Sequence, residues 1–202
     1  MKKIQNFRIG TWLFTGFTII LFLVVLLGVM SYQQTRELSL QTETMYNHPL
    51  TVRRGIDRLE LDVSELRLQF RNYILADTVE DEHLAIDAMD LAFLHIDDEL
   101  DTIENGYLGP EEDIDNLKTA LTLWVSVRTI NMDKVAAGDI DEVLISIGPD
   151  GEEAIKRNNL LERIDVIDSY AQNKADELYA NSITLHETMV TQLIFIVSLL
   201  FL

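Results

Sequence analysis

TVRRGIDRLELDVSELRLQFRNY, residues 51–73, decides the fold. Val52, Ile56, Leu59, Val63, Leu66, Phe70 and Tyr73 recur at alternating spacings of four and three, while the residues between them are mostly charged or polar. That period places one apolar stripe along a helix and leaves the opposite face wet, as in a helix of a bundle.

The same reading extends in both directions. Asp77 and Thr78 can cap a second helix, with a stripe of Ile86, Met89, Phe93, Ile96, Leu100, Ile103 and Tyr107 that stops at Asn105-Gly106. Gly109-Pro110 opens a third, with Glu111, Glu112 and Asp113 placed favourably against its dipole and a stripe of Ile114, Leu117, Leu121 and Trp124, then Arg128. Ala136 to Asp139 ends it. Asp139–Ile147 reads as a short helical piece before the turn Gly148-Pro149-Asp150-Gly151. A fourth helix carries Leu160, Ile164, Ile167, Ala171, Leu178 and Leu185, interrupted by Lys174. With no run of alternating apolar residues, the expectation is an all-α, up-down-up-down four-helix bundle with turns at 77–79 and 137–150 at one end and 105–110 at the other. In the first helix Pro49 cannot donate to the Met45 carbonyl. It is either a hinge in a continuous signalling helix or the first residue of a new helix capped by Asn47 or His48.

Beyond the bundle lie two apolar segments. Thr11–Met30, TWLFTGFTIILFLVVLLGVM, holds 20 residues without a charge, enough to cross roughly 30 Å of hydrocarbon. Lys2, Lys3 and Arg8 precede it and no acidic residue occurs before Glu37, so the positive-inside rule places the N-terminus in the cytoplasm. A cleaved signal peptide is the rival, but Val29-Met30-Ser31-Tyr32 offers no small-x-small site. Met189–Leu202 is apolar for only 14 residues, short of the about 20 needed to span. The expected layout is a cytoplasmic N-terminus over 1–10, a transmembrane helix over 11–32, a periplasmic bundle over 33–188, and the start of a second transmembrane helix over 189–202. On that layout the chain is the front part of a longer polypeptide whose output lies beyond Leu202.

All 34 acidic residues and 13 of the 16 basic ones follow the first apolar segment. So acidic a region excludes nucleic acid as a partner, because phosphate binding needs the opposite sign. The absence of cysteine excludes disulfides and thiolate metal sites.

Tyr46-Asn47-His48-Pro49-Leu50-Thr51-Val52, Leu108-Gly109-Pro110, Trp124 with Arg128, and Gly138-Asp139, in that order between two apolar helices, resemble the four-helix-bundle sensor family. Its members are extracytoplasmic input domains of bacterial chemoreceptors, sensor histidine kinases and diguanylate cyclases, usually followed by a HAMP linker. The resemblance covers essentially the whole chain. It implies a signalling input of a bacterial inner-membrane receptor, built as a homodimer, that answers a small molecule or a periplasmic protein and carries no catalysis and no cofactor.

Arg128 stands where the stripe of the third helix calls for an apolar side chain. Turned inward, its guanidinium could bind a ligand carboxylate in bidentate fashion, with Trp124 beside it. The commoner arrangement is a pair with an acidic side chain on a neighbouring helix, or an outward course along the surface. Trp124 by itself reads as core, worth ~3–5 kcal/mol on truncation to alanine. The acidic runs Glu80-Asp81-Glu82, Asp139-Asp141-Glu142 and Asp150-Glu152-Glu153 offer hard oxygen ligands, yet read more simply as solvated helix ends. Glu80-x-x-His83 matches one half of a di-iron bundle motif whose other half is missing, so no metal site is expected. His95, Asp98 and Glu99 read as a surface ion-pair patch on the second helix. An anchored enzyme and a structural, partner-holding bundle are the alternatives to a receptor.

Overall fold

The structure, a computed structural model, describes residues 9–200, and among these it contains helices and no strand. The helices are α1 (Ile9–Asn47), α2 (Pro49–Ile74), α3 (Val79–Gly106), α4 (Glu111–Ala137), α5 (Ile140–Ile147) and α6 (Glu152–Leu200). Two compact units divide them: Met45–Asp176 is one, and the chain up to Thr44 with the chain from Glu177 onward is the other. Residues 33–44 and 177–188, assigned from sequence to the bundle, fall in the second unit. Lys2, Lys3 and Arg8, on which the orientation rests, and Phe201 and Leu202 at the far end lie outside the described residues.

In Met45–Asp176 the stripe of α2 is buried throughout: Val52, Ile56, Leu59, Val63, Leu66, Phe70 and Tyr73 are all core. Pro49 is the first residue of α2 rather than an interior residue of one long helix. His48 precedes it in a non-helical conformation, φ −114° and ψ −86°, because a residue before proline is pushed out of the α region. Its carbonyl accepts from Val52 N–H at 2.9 Å, so the ladder restarts at once. Of the two readings of Pro49, the first residue of a new helix is therefore the one observed, with α1 and α2 meeting at Asn47–Pro49 and no side-chain cap from His48.

Thr78 caps α3, its hydroxyl accepting from Asp81 N–H at 3.1 Å and donating to the Asp81 carboxylate at 2.7 Å. The core face of α3 differs from the expected stripe. Ala85, Met89, Ala92, Ile96, Glu99, Leu100 and Ile103 are buried, whereas Ile86, Phe93 and Tyr107 sit at its edge. The cause is close packing of α3 against α2. A Cβ added to Gly55 would stand 2.9 Å from Ile103 Cγ1, and one added to Gly106 would stand 3.0 Å from Val52 Cγ2. Such an approach favours the small side of α3, with its alanines, over the side carrying Phe93.

The pairs Val52–Gly106, Gly55–Ile103, Arg58–Glu99 and Asp62–His95 run in opposite directions along the two helices, which defines an antiparallel register. Helix α4 ends at Gly138, held at φ +88°, where glycine avoids the penalty of a side chain. Gly138 N–H donates to the Val135 carbonyl and Asp139 N–H to that of Lys134, the double closure of a Schellman end. Helix α6 then runs antiparallel to α2 and α4. Arg53 of α2 pairs with Asp168 at 2.9 Å, while Leu66 of α2 and Glu153 share a partner in Arg128 of α4. The up-down-up-down order follows, with α5 an added short piece in the last connection and Val143 as its buried residue.

In the other unit, α1 and α6 are bridged by two polar pairs. Gln34 Nε2 donates to Gln192 Oε1 and Ser182 Oγ donates to Gln41 Oε1 at 3.0 Å. Trp12, Phe14, Phe17 and Phe22 are more than half exposed. Among the described residues one helix, beginning at Gly10, is long and apolar enough to cross a membrane, and none of its most apolar window is buried.

Candidate functional site

Arg128 is the centre of the bundle's polar interior. The stripe of α4 turns it inward with Ile114, Leu117, Leu121 and Trp124, and it is 1% exposed. Its guanidinium lies over two aromatic faces, 4.5 Å from the Trp124 ring centre and 4.9 Å from that of Phe70, a stacking that suits its weakly hydrated plane. Nη1 donates to the Leu66 carbonyl and Nη2 to Glu153 Oε1, each at 2.5 Å. The other carboxylate oxygen of Glu153 accepts from Asn131 Nδ2 at 2.7 Å, and Asn131 also donates to Ser146 Oγ at 3.0 Å, tying α5 into the network.

Burial lowers the pKa of Arg128 and the Glu153 charge raises it back, with Arg67 and Arg157 adding smaller depressing effects. It stays a cation, since arginine begins so far above neutrality. Glu153 lies in the first turn of α6, where the helix dipole also favours a carboxylate. Nε of Arg128 and Nε1 of Trp124 are buried without a partner.

The structure thus brings Arg128 and Trp124 together as expected and supplies the acidic partner from a neighbouring helix. Glu153, whose place in an acidic run at a helix end predicts a solvated side chain, is instead 5% exposed. A signal for it exists in the sequence. Carrying the stripe of α6 backward from Ala171 through Ile167, Ile164 and Leu160 reaches Arg157 and Glu153 at the same alternating spacing.

A cleft opens beside the pair, lined by Arg67, Phe70, Arg71, Arg128, Ile147, Glu153, Ala154 and Arg157. Pro49 is at the opposite end of the bundle, where His48 Nδ1 lies 3.3 Å from the Gly106 carbonyl. At that end the Tyr107 hydroxyl donates to Asp113 at 2.7 Å, its ring meets Tyr170 edge-on at 5.1 Å, and Tyr170 donates to the Leu108 carbonyl.

The surface patch expected for His95, Asp98 and Glu99 is corrected. His95 faces Asp62 of α2 at 3.5 Å, and Glu99 is buried and paired with Arg58 of α2 at 3.1 Å, because the close α2–α3 contact carries both across the helix boundary. Glu80 and His83 are both exposed. Among the described residues no group of three or more His, Asp or Glu is arranged to hold a metal ion.

Residues 45–176 thus form an antiparallel four-helix bundle with a buried ion pair in its interior, a fold that by itself does not name a role. The model of the four helix bundle sensory module for signal transduction matches residues 6–185, and the chain belongs to that family. No curated protein and no solved structure matches it significantly. The chain is therefore a sensing and signalling input, a module that is not itself catalytic.

Proposed function

We propose that this input belongs to a bacterial inner-membrane receptor, anchored by the apolar part of α1, with residues 1–10 in the cytoplasm and the bundle in the periplasm. The observation that carries this reading is the uncharged stretch Thr11–Met30 at the head of α1, whose large apolar side chains project unburied from the protein. Leaving so continuous an apolar surface in water is costly, whereas a bilayer removes it from water. The polar pairs Gln34–Gln192 and Gln41–Ser182 suit two neighbouring helices near a membrane, where interhelical hydrogen bonds hold register.

The receptor works as a homodimer, and a stimulus that favours one packing of the bundle by a few kcal/mol shifts α6 relative to its neighbours. Pro49 serves as the point where α1 and α2 flex. Arg128 and Trp124 form the floor of the recognition site, with the Arg128 fork already engaged by Glu153 and Leu66.

Reporter fusions test the topology. A fusion at Gln5 is expected to be active on the cytoplasmic side and one at Asn105 on the periplasmic side. Finding both fusions in the cytoplasm would discard the membrane-receptor reading.

A further inference from the structure

The chain carries 34 acidic and 16 basic residues, so an arginine without a carboxylate partner is against the odds of its composition. Elsewhere in the bundle Arg53 pairs with Asp168 and Arg58 with Glu99, while Arg54 and Arg163 form no ion pair among the described residues. The cleft beside Arg128 is distinguished by gathering several arginines at one place. Four of its eight lining residues are arginines, from α2, α4 and α6, and the one acid among them, Glu153, is already held by Arg128 and Asn131. No carboxylate among the described residues forms an ion pair with Arg67, Arg71 or Arg157.

Three guanidinium groups gathered at one mouth repel one another, and that repulsion is stronger where water is partly excluded. Arg67 registers it. Its pKa is lowered first by burial and then by the charges of Arg157 and Arg71. Arg157 Nε and Arg128 Nε are both buried without a hydrogen-bond partner, so donors at this site are left unmet. Such crowding costs stability unless something negative relieves it.

We propose that the cleft binds a small polyanion, a di- or tricarboxylate or a phosphate-bearing metabolite, with Arg67, Arg71 and Arg157 as its ligands and the Arg128–Glu153 pair as its floor. The proposal rests on the sensory reading and names the chemical class of the stimulus. A single carboxylate satisfies one guanidinium fork, and three forks call for an anion with several oxygens and more than one charge. The enclosed space is about 20 Å³, about one water molecule, so the anion lies across the mouth, between Arg67, Arg71 and Arg157, rather than in the floor. Because those arginines come from α2 and α6, an anion held by all three draws the two helices toward one packing, as an input that signals through α6 requires. Ile147 of α5 forms part of the rim, so the same anion contacts the short helix in the last connection.

The test uses the full chain in nanodiscs, with thermal shift and calorimetry against citrate, inorganic phosphate and acetate at constant ionic strength. In the wild type, citrate or phosphate is expected to raise the melting temperature by a few degrees at saturating concentration, while acetate at the same concentration does not. A response to citrate alone assigns a polycarboxylate, and a response to phosphate alone assigns a phosphate group. Arg67→Gln and Arg157→Gln are expected to fold, with melting temperatures in buffer equal to or above the wild type, because each relieves like-charge crowding. Each should weaken anion affinity by about tenfold or more, the loss of one charge-assisted contact. The proposal is overturned if neither citrate nor phosphate shifts the wild type, if acetate does so equally, or if both variants respond as the wild type does. Binding of citrate by a protein whose fusions place the bundle in the cytoplasm would keep the site and remove the receptor topology, so the two failures are distinct.

Discussion

Arg128 and Glu153 meet at 2.5 Å with their side chains 1% and 6% exposed, 25 residues apart in the chain and on different helices. A pair so placed stabilises little by itself, because taking both charges out of water offsets most of their attraction. Its removal by halves is another matter. Glu153→Leu leaves a buried cation unpaired and is expected to cost ~3–5 kcal/mol. Arg128→Met combined with Glu153→Leu removes both charges together and should cost far less. Denaturant unfolding of the two singles and the double, closed as a cycle, measures this; single and double losses of equal size would show that the ion pair does not dominate the site.

Gly55 is where α2 and α3 come closest. Alanine there would gain about 1 kcal/mol of helix propensity on an open helix. Its Cβ would instead stand 2.9 Å from Ile103 Cγ1 and 3.5 Å from Glu99 Oε2, both against a buried helix. Gly55→Ala is therefore expected to destabilise by about 1–3 kcal/mol, the usual range for overpacking. A melting temperature above that of the wild type would contradict the close approach.

Tyr107 gives the bundle an alkaline limit. Burial first, then its hydrogen bond to Asp113 and the charge of that carboxylate, push the phenol well above its ordinary pKa. The folded state thus holds a proton that the unfolded chain releases at about pH 10. The Tyr107 contribution to stability is complete below that pH and is lost as pH rises beyond it. Tyr107→Phe is expected to flatten the fall in stability above about pH 10, a change read by urea unfolding across the alkaline range. A slope equal to that of the wild type would assign the alkaline loss elsewhere, Tyr73 being the next phenol with a raised pKa.

Pro49→Ala restores an amide that can donate to the Met45 carbonyl. Helices α1 and α2 are then expected to join, with slower hydrogen exchange over residues 45–52, because an interior helical ladder is protected where a turn is not. Unchanged exchange would mean that His48, rather than Pro49, sets the break. A weaker response of the intact receptor to its stimulus in the same variant is expected if this break is the point of flexure.

The sequence by itself determined the helices and their inward faces wherever the apolar period is unbroken. All seven stripe residues of α2 are core, and the starts at Thr78 and Glu111 and the stop at Gly138 follow from caps, acidic first turns and glycine. These signals are local, carried within a few residues by backbone geometry and helix dipoles. It also marked Arg128 as the residue to explain, since a cation interrupts an apolar face. What the tertiary structure decided is everything that depends on two helices at once. Close approach at Gly55 and Gly106 turned α3 onto Ala85 and Ala92 and drew Glu99 inward. Folding in three dimensions chose Glu153, out of 34 acids, as the partner of Arg128 and assembled Arg67, Arg71 and Arg157 around one cleft. Periodicity states which face of a helix is buried, but the partner that face meets depends on interhelical distance and rotation, and those are set by the packing of all the helices together.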